Sequence, residues 1–204
     1  MPEYSHGIPM TKGSPMKRIL LPLLALPLAA GAPAKPGAPS AQVKRGAYLT
    51  AIMGCNDCHT PMRMGAHGPE SDPTRFLSGH PAGLKLPPAG LKAPWMWAGA
   101  ATNTAFAGPW GVSFSANLTP DKTGLGEWTP EMFVKAIKTG KHLGKGRPIL
   151  PPMPQPAFSH ATDEDLKAIF AYLRTVKPLE NKVPDPIDPT PAPTPAPAPA
   201  GGAR

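Results

Sequence analysis

Cys55-Asn56-Asp57-Cys58-His59 constrains this chain more than any other stretch of it. Two cysteines three apart, with histidine next, have the spacing of a c-type haem attachment site. Each thiol adds to one haem vinyl group, and the three-residue step sets the sulfurs at the separation of the vinyls. The adjacent imidazole then reaches the iron as proximal ligand. A zinc site would want further cysteine or histidine ligands at short spacing, and the sequence holds no third cysteine. A thioredoxin-like pair would want a βαβ context, which the surrounding residues do not offer.

What precedes the motif gives it an address. Met16-Lys17-Arg18 opens an uncharged run of leucine, alanine and proline from Ile19 to Ala30, and Ala32-Pro33-Ala34 follows. A short basic region, an apolar region and an A-x-A site make a secretory signal, so residues 1–34 are expected to be a cleaved leader, with Met16 as an alternative start. Pro22 and Pro27 break the run as a helix, and it is short for a bilayer span. The expected compartment is an oxidising periplasm, where two thiols end as a disulfide or as thioethers. Without the leader, 18 basic and 12 acidic residues remain. That moderate positive charge comes without a nucleic-acid recognition motif and points to an acidic protein partner.

Prolines and glycines, 32 and 21 of 204 residues, would suggest a loop-rich chain, yet the stretches of helical pattern are almost free of proline. Ser40 can cap a helix from Ala41 to Ile52, in which Gly46 is costly unless another backbone approaches closely there. Gly54 ends that helix and delivers Cys55. Thr129-Pro130-Glu131 opens a second helix that Gly140 stops, with Phe133, Ala136 and Ile137 as its apolar stripe. Thr162-Asp163-Glu164-Asp165 opens a third, whose Leu166, Ile169, Phe170 and Leu173 repeat at helical spacing and which Pro178 ends. Residues 61–111 show no period of either kind, and from Pro184 onward proline and alanine dominate as in a polyproline II tail.

A haem iron held by one histidine takes a sixth ligand for simple electron transfer. Met62 and Met64 follow His59 too closely to reach the far face. Met153, inside Pro151-Pro152-Met153-Pro154, has rigid flanks that lose little entropy on binding, and it is the expected ligand. Met96, His142 and His160 are the alternatives.

With these residues in view the chain resembles a monohaem class I cytochrome c. The resemblance rests on Gly46 and Tyr48, CNDCH at 55–59, PPMP at 151–154 and a final helix carrying Tyr172. Ser115 to Asp121 and Gly124 to Thr129 are similar to the cytochrome modules of periplasmic dehydrogenase complexes. It covers residues 41–66 and 112–177. It implies an all-α fold: three or more helices around one covalent haem c, with a long irregular insertion at about 67–111 and disordered tails. The expected division is a leader at 1–34, the haem domain at 41–177 and a Pro/Ala-rich tail at 178–204. The implied site is Cys55 and Cys58 on the haem, with His59 and Met153 on the iron.

Filled axial positions block chemistry at the metal, so an electron carrier is expected, not an enzyme. A haem enzyme or sensor with an open sixth position is the alternative, but no distal acid–base constellation is visible. A permanent relay subunit of a dehydrogenase or oxidase differs from a free carrier only in its partner. The expected partner is a redox protein with an acidic docking face. Lys135, Lys138, Lys141, Lys145 and Arg147, with no acid among them, would face it. No nucleic acid is expected, and a membrane only through a partner complex or an uncleaved leader.

Overall fold

The computed structural model describes residues 39–189. The leader at 1–34 and the last part of the Pro/Ala-rich tail lie outside the described residues.

Helix α1 (Ala41–Ile52) starts where Ser40 accepts from the Val43 amide, 3.2 Å away. Its Gly46 marks the crossing with the last helix, α5 (Asp163–Leu173), which Thr162 caps by accepting from the Asp165 amide. A Cβ at position 46 would overlap the Ala168 carbonyl oxygen and stand 2.8 Å from the Tyr172 Cβ. Hydrogen alone fits there, so glycine's cost in the helix interior is offset by the close approach it permits. Arg45 and Asp165 close the crossing with an ion pair of 2.9 Å at its solvent side. Helix α3 (Pro130–Thr139) begins at a Thr129 cap and ends at Gly140 in the left-handed conformation. It lays Phe133 against Phe170 of α5, with ring centroids 5.6 Å apart.

The core gathers Leu49, Phe133, Ile137, Leu166, Ile169, Phe170 and Leu173 from these helices, with Leu77 and Leu125 from loops. Two shorter helices complete the α-helices among the described residues: α2 (Cys55–His59), which is the CNDCH motif itself, and α4 (Gln155–Phe158) just after Met153.

The all-α expectation holds for the core and fails for the stretch between α2 and α3. Strands β1 (Met62–Gly65) and β2 (Gly68–Ser71) form an antiparallel hairpin, with Arg63 and Glu70 paired across it at 2.8 Å. Strands β3 (Ala98–Gly99), β4 (Ala105–Gly108) and β5 (Gly111–Phe114) form a second antiparallel sheet in the order β3-β4-β5. The expected irregular insertion is thus partly ordered by strands of four residues or fewer. Glycine and alanine fill many of their positions, so pairing rests on backbone hydrogen bonds and leaves no alternation of side chains to read.

The described chain continues past residue 177, where the sequence suggests a tail. Residues after α5 return over the domain, and Ile187 pairs with Val112 of β5 through reciprocal backbone hydrogen bonds of 2.8 and 2.9 Å. Asn181, 5 % exposed, secures this strap. Its side chain donates to the carbonyls of Ser78 and His80 and accepts from the Ala82 amide.

Candidate haem centre

A cavity of about 500 Å³ opens beside α2, and Cys55, Cys58, His59 and Met153 all line it. The four residues singled out in the sequence therefore meet in one place. Its other walls are largely apolar, with Phe106, Leu118, Leu125, Phe133, Ile169 and Leu173 among them. Of the alternative sixth ligands, His142 also lines the cavity, whereas Met96 and His160 do not.

Local structure brings each group there. Gly54, in the left-handed conformation, turns the chain from α1 into α2, so the cysteines emerge at the end of a helix anchored by the Gly46 crossing. His59, 8 % exposed, closes α2. Its Nδ1 lies 2.7 Å from the Ala116 carbonyl oxygen. A carbonyl only accepts, so Nδ1 carries the proton and Nε2 keeps its lone pair. That tautomer is what a metal-bound imidazole needs, and the carbonyl both orients the ring and strengthens the ligand. Burial pushes the His59 pKa down, against a smaller opposing effect of the Ala116 hydrogen bond, and so favours the neutral ring.

The Ala116 carbonyl is itself held in place. Residues 77–80 lace α2 to loop 115–118: Gly79 N donates to His59 O, His80 N to Ser115 O, and Leu118 N to Leu77 O, at 2.8–2.9 Å. Gly79 has φ +76°, and a Cβ there would run into the Ser115 and Ala116 carbonyls. Asn117, 3 % exposed, fixes the other side by donating to Leu179 O of the strap and accepting from the Thr119 amide.

Met153 sits on a loop tied down at both ends. Ser113 Oγ of β5 donates to Pro151 O at 2.6 Å, and Gln155 Nε2 donates to Ile137 O of α3 at 2.6 Å. Burial pushes the Cys55 thiol up to about 11 and raises Cys58 as well. A reactive redox pair needs a lowered thiol, so this environment does not suit disulfide exchange. An apolar cavity, two thiols, an imidazole with its free nitrogen fixed and a thioether fit a covalently held haem iron. Cys55 and Cys58 would bond its vinyl groups, His59 would ligate the iron, and Met153 is the candidate second ligand. When bound, the group supplies an iron that changes oxidation state by one electron.

The sequence matches the family model for cytochrome c over residues 43–177. The chain belongs to the cytochrome c family. Haem c, attached covalently and carrying iron, is therefore its cofactor, and electron transfer its chemistry. Among its relatives are the fructose dehydrogenase cytochrome subunit of Gluconobacter japonicus, 33% identical over 70% of this chain, and the cytochrome c subunit of the quinone alcohol dehydrogenase of Gluconobacter oxydans (strain 621H), 31% identical over 72%. The gluconate 2-dehydrogenase cytochrome c subunit of Pantoea cypripedii is 31% identical over 77%. These matches take in 23%, 25% and 28% of the relatives' own lengths, so the chain spans about a quarter of each.

Sequence reasoning missed the Ala116 carbonyl, because a backbone acceptor has no side-chain signature. It also missed the cavity wall formed by Lys182 to Pro186 of the strap. The prolines at 184 and 186 made that stretch read as a tail, and only the amide side chain of Asn181 could have hinted at docking.

Proposed function

We propose that this cytochrome is an exported, single-electron carrier in which one haem c, bonded to Cys55 and Cys58, is ligated by His59 and Met153. It takes electrons from a dehydrogenase in the periplasm and passes them to a second redox protein. The observation that carries this reading is the joint placement of Met153 and the fixed His59 imidazole on one apolar cavity. Two protein ligands leave the metal no position for a substrate, which favours electron transfer over catalysis. A sixth position open to small molecules would instead let carbon monoxide bind the reduced protein. The test is that exposure: wild type should show no spectral change, and Met153→Ala should bind the gas. Binding by the wild type would mean an open site and a sensor or enzyme.

A permanent relay subunit is the second reading, and the three relatives, each a cytochrome subunit of a dehydrogenase, favour it. Sedimentation of the natively expressed protein across a range of concentrations separates the two. A mass matching the chain alone at every concentration supports the free carrier, and a larger stable species supports the subunit.

A further inference from the structure

Between β2 and β3 the chain carries its most unusual surface. Residues 82–97 are exposed apart from a half-buried Leu91. Within them Leu84, Leu86, Trp95, Met96 and Trp97 face solvent, Trp95 and Met96 at 75 % and 70 % exposure. Large apolar side chains scattered singly need no explanation, but five of them on one segment do. The stretch holds no helix or strand, and Pro87, Pro88 and Pro94 keep it from forming one. Its charge is one-sided as well: between Asp72 and Asp121 there is no acid, while Arg75, Lys85 and Lys92 are basic.

We propose that residues 84–97 form a membrane-surface contact, in which Trp95, Met96 and Trp97 enter the headgroup region of an anionic phospholipid bilayer and Lys85 and Lys92 meet the lipid charges. Tryptophan suits this depth, since its ring is apolar and its N–H stays wet. Lysine suits it too, burying its stem while its ammonium remains at the charged surface. The irregular backbone sets the depth, because its unpaired polar groups stay hydrated among headgroups and could not enter hydrocarbon. The charge complementarity favours an anionic leaflet. A fluid surface also asks no shape match from a segment of this kind, whereas a protein partner would. Trp97 fixes the contact to the domain: its ring packs edge-on against Phe106, centroids 6.0 Å apart, and Phe106 lines the haem cavity. No helix among the described residues is long and apolar enough to cross a membrane. The contact would hold the domain on the surface independently of which ligands the iron has.

The test is co-sedimentation of the haem-loaded protein with vesicles of phosphatidylcholine alone and of equimolar phosphatidylcholine and phosphatidylglycerol. Wild type should sediment with the anionic vesicles and far less with the neutral ones. Trp95→Ser with Met96→Ser, at two well-exposed positions, should leave the haem spectrum unchanged and abolish sedimentation. Lys85→Gln with Lys92→Gln should weaken binding roughly thirtyfold, taking about 1 kcal/mol for each lysine. Failure of the wild type to bind anionic vesicles overturns the proposal and leaves the patch to a protein partner. Equal binding by the wild type and the Trp95/Met96 variant overturns it too, as does wild-type binding to neutral vesicles as strong as to anionic ones.

Discussion

Gly46→Ala should destabilise the protein even though alanine is the better helix former. In an exposed helix interior the exchange would gain about 1 kcal/mol. Here the added methyl would overlap the Ala168 carbonyl oxygen, lie 2.5 Å from its carbon and 2.8 Å from the Tyr172 Cβ. Normal carbon contacts begin near 3.5 Å, and the obstacle is helix backbone with no rotamer to change. Helices α1 and α5 must therefore part, and the Arg45–Asp165 pair with them. Overpacking costs typically about 1–3 kcal/mol, and a backbone clash belongs at or above the top of that range. Set against the propensity gain, the net loss is about 2 kcal/mol, or roughly 8 °C in Tm for a domain of this size. Gly83→Ala is the control, since a Cβ at Gly83 meets nothing within 4 Å and surface changes of that kind stay within about 0.5 kcal/mol. Thermal melts of both variants and wild type, with haem attached, give the comparison. A Gly46→Ala protein as stable as wild type would refute the crossing as described.

Ser113→Ala should loosen the Met153 loop by removing the hydrogen bond to Pro151 O, at a cost of about 1 kcal/mol. Imidazole should then bind the ferric protein more tightly than it binds wild type, and an unchanged affinity would count against that tie. His80, fully buried, has its pKa lowered chiefly by burial. Leu84 O can only accept, so Nε2 carries the proton and Nδ1 accepts from the Thr104 hydroxyl. A lowered folded pKa means its stabilising contribution is complete above the ordinary histidine value and fades as pH falls. The urea midpoint should thus drop between about pH 7 and pH 5, and less so in His80→Gln. Reversing Lys141 and Lys145, both exposed and close in sequence to His142 and Arg147 of the cavity wall, should flatten the fall of the partner electron-transfer rate with ionic strength while leaving the potential unchanged. Lys138, by contrast, already pairs with Asp163 at 3.4 Å and donates to Ala161 O, so its reversal should act on stability instead.

The helices were legible because their ends carry chemistry. Ser40, Thr129 and Thr162 each accept from an amide three residues on, and Gly140 takes the left-handed stop. Gly46 was legible for the complementary reason, that a costly residue inside a helix implies a neighbour. The cavity residues were legible because covalent attachment and iron ligation demand particular atoms at particular spacing. What could not be read was whatever the backbone does by itself. Ala116 offers His59 only a carbonyl, β1 to β5 pair through main-chain groups over runs too short to show a period, and the strap after α5 hides its docking residue, Asn181, among prolines and charges. The same holds for the apolar surface at 84–97: its tryptophans show in the sequence, but their exposure does not.

The near-infrared spectrum of the ferric protein tests the ligand set most directly. Thioether ligation of ferric haem gives a weak sulfur-to-iron band there, and the wild type should show it. Met153→Ala should lose the band and have a lower reduction potential, while Met96→Ala should keep both. A wild-type protein without the band, or a Met153→Ala protein that retains it, would contradict the assignment of Met153 to the iron.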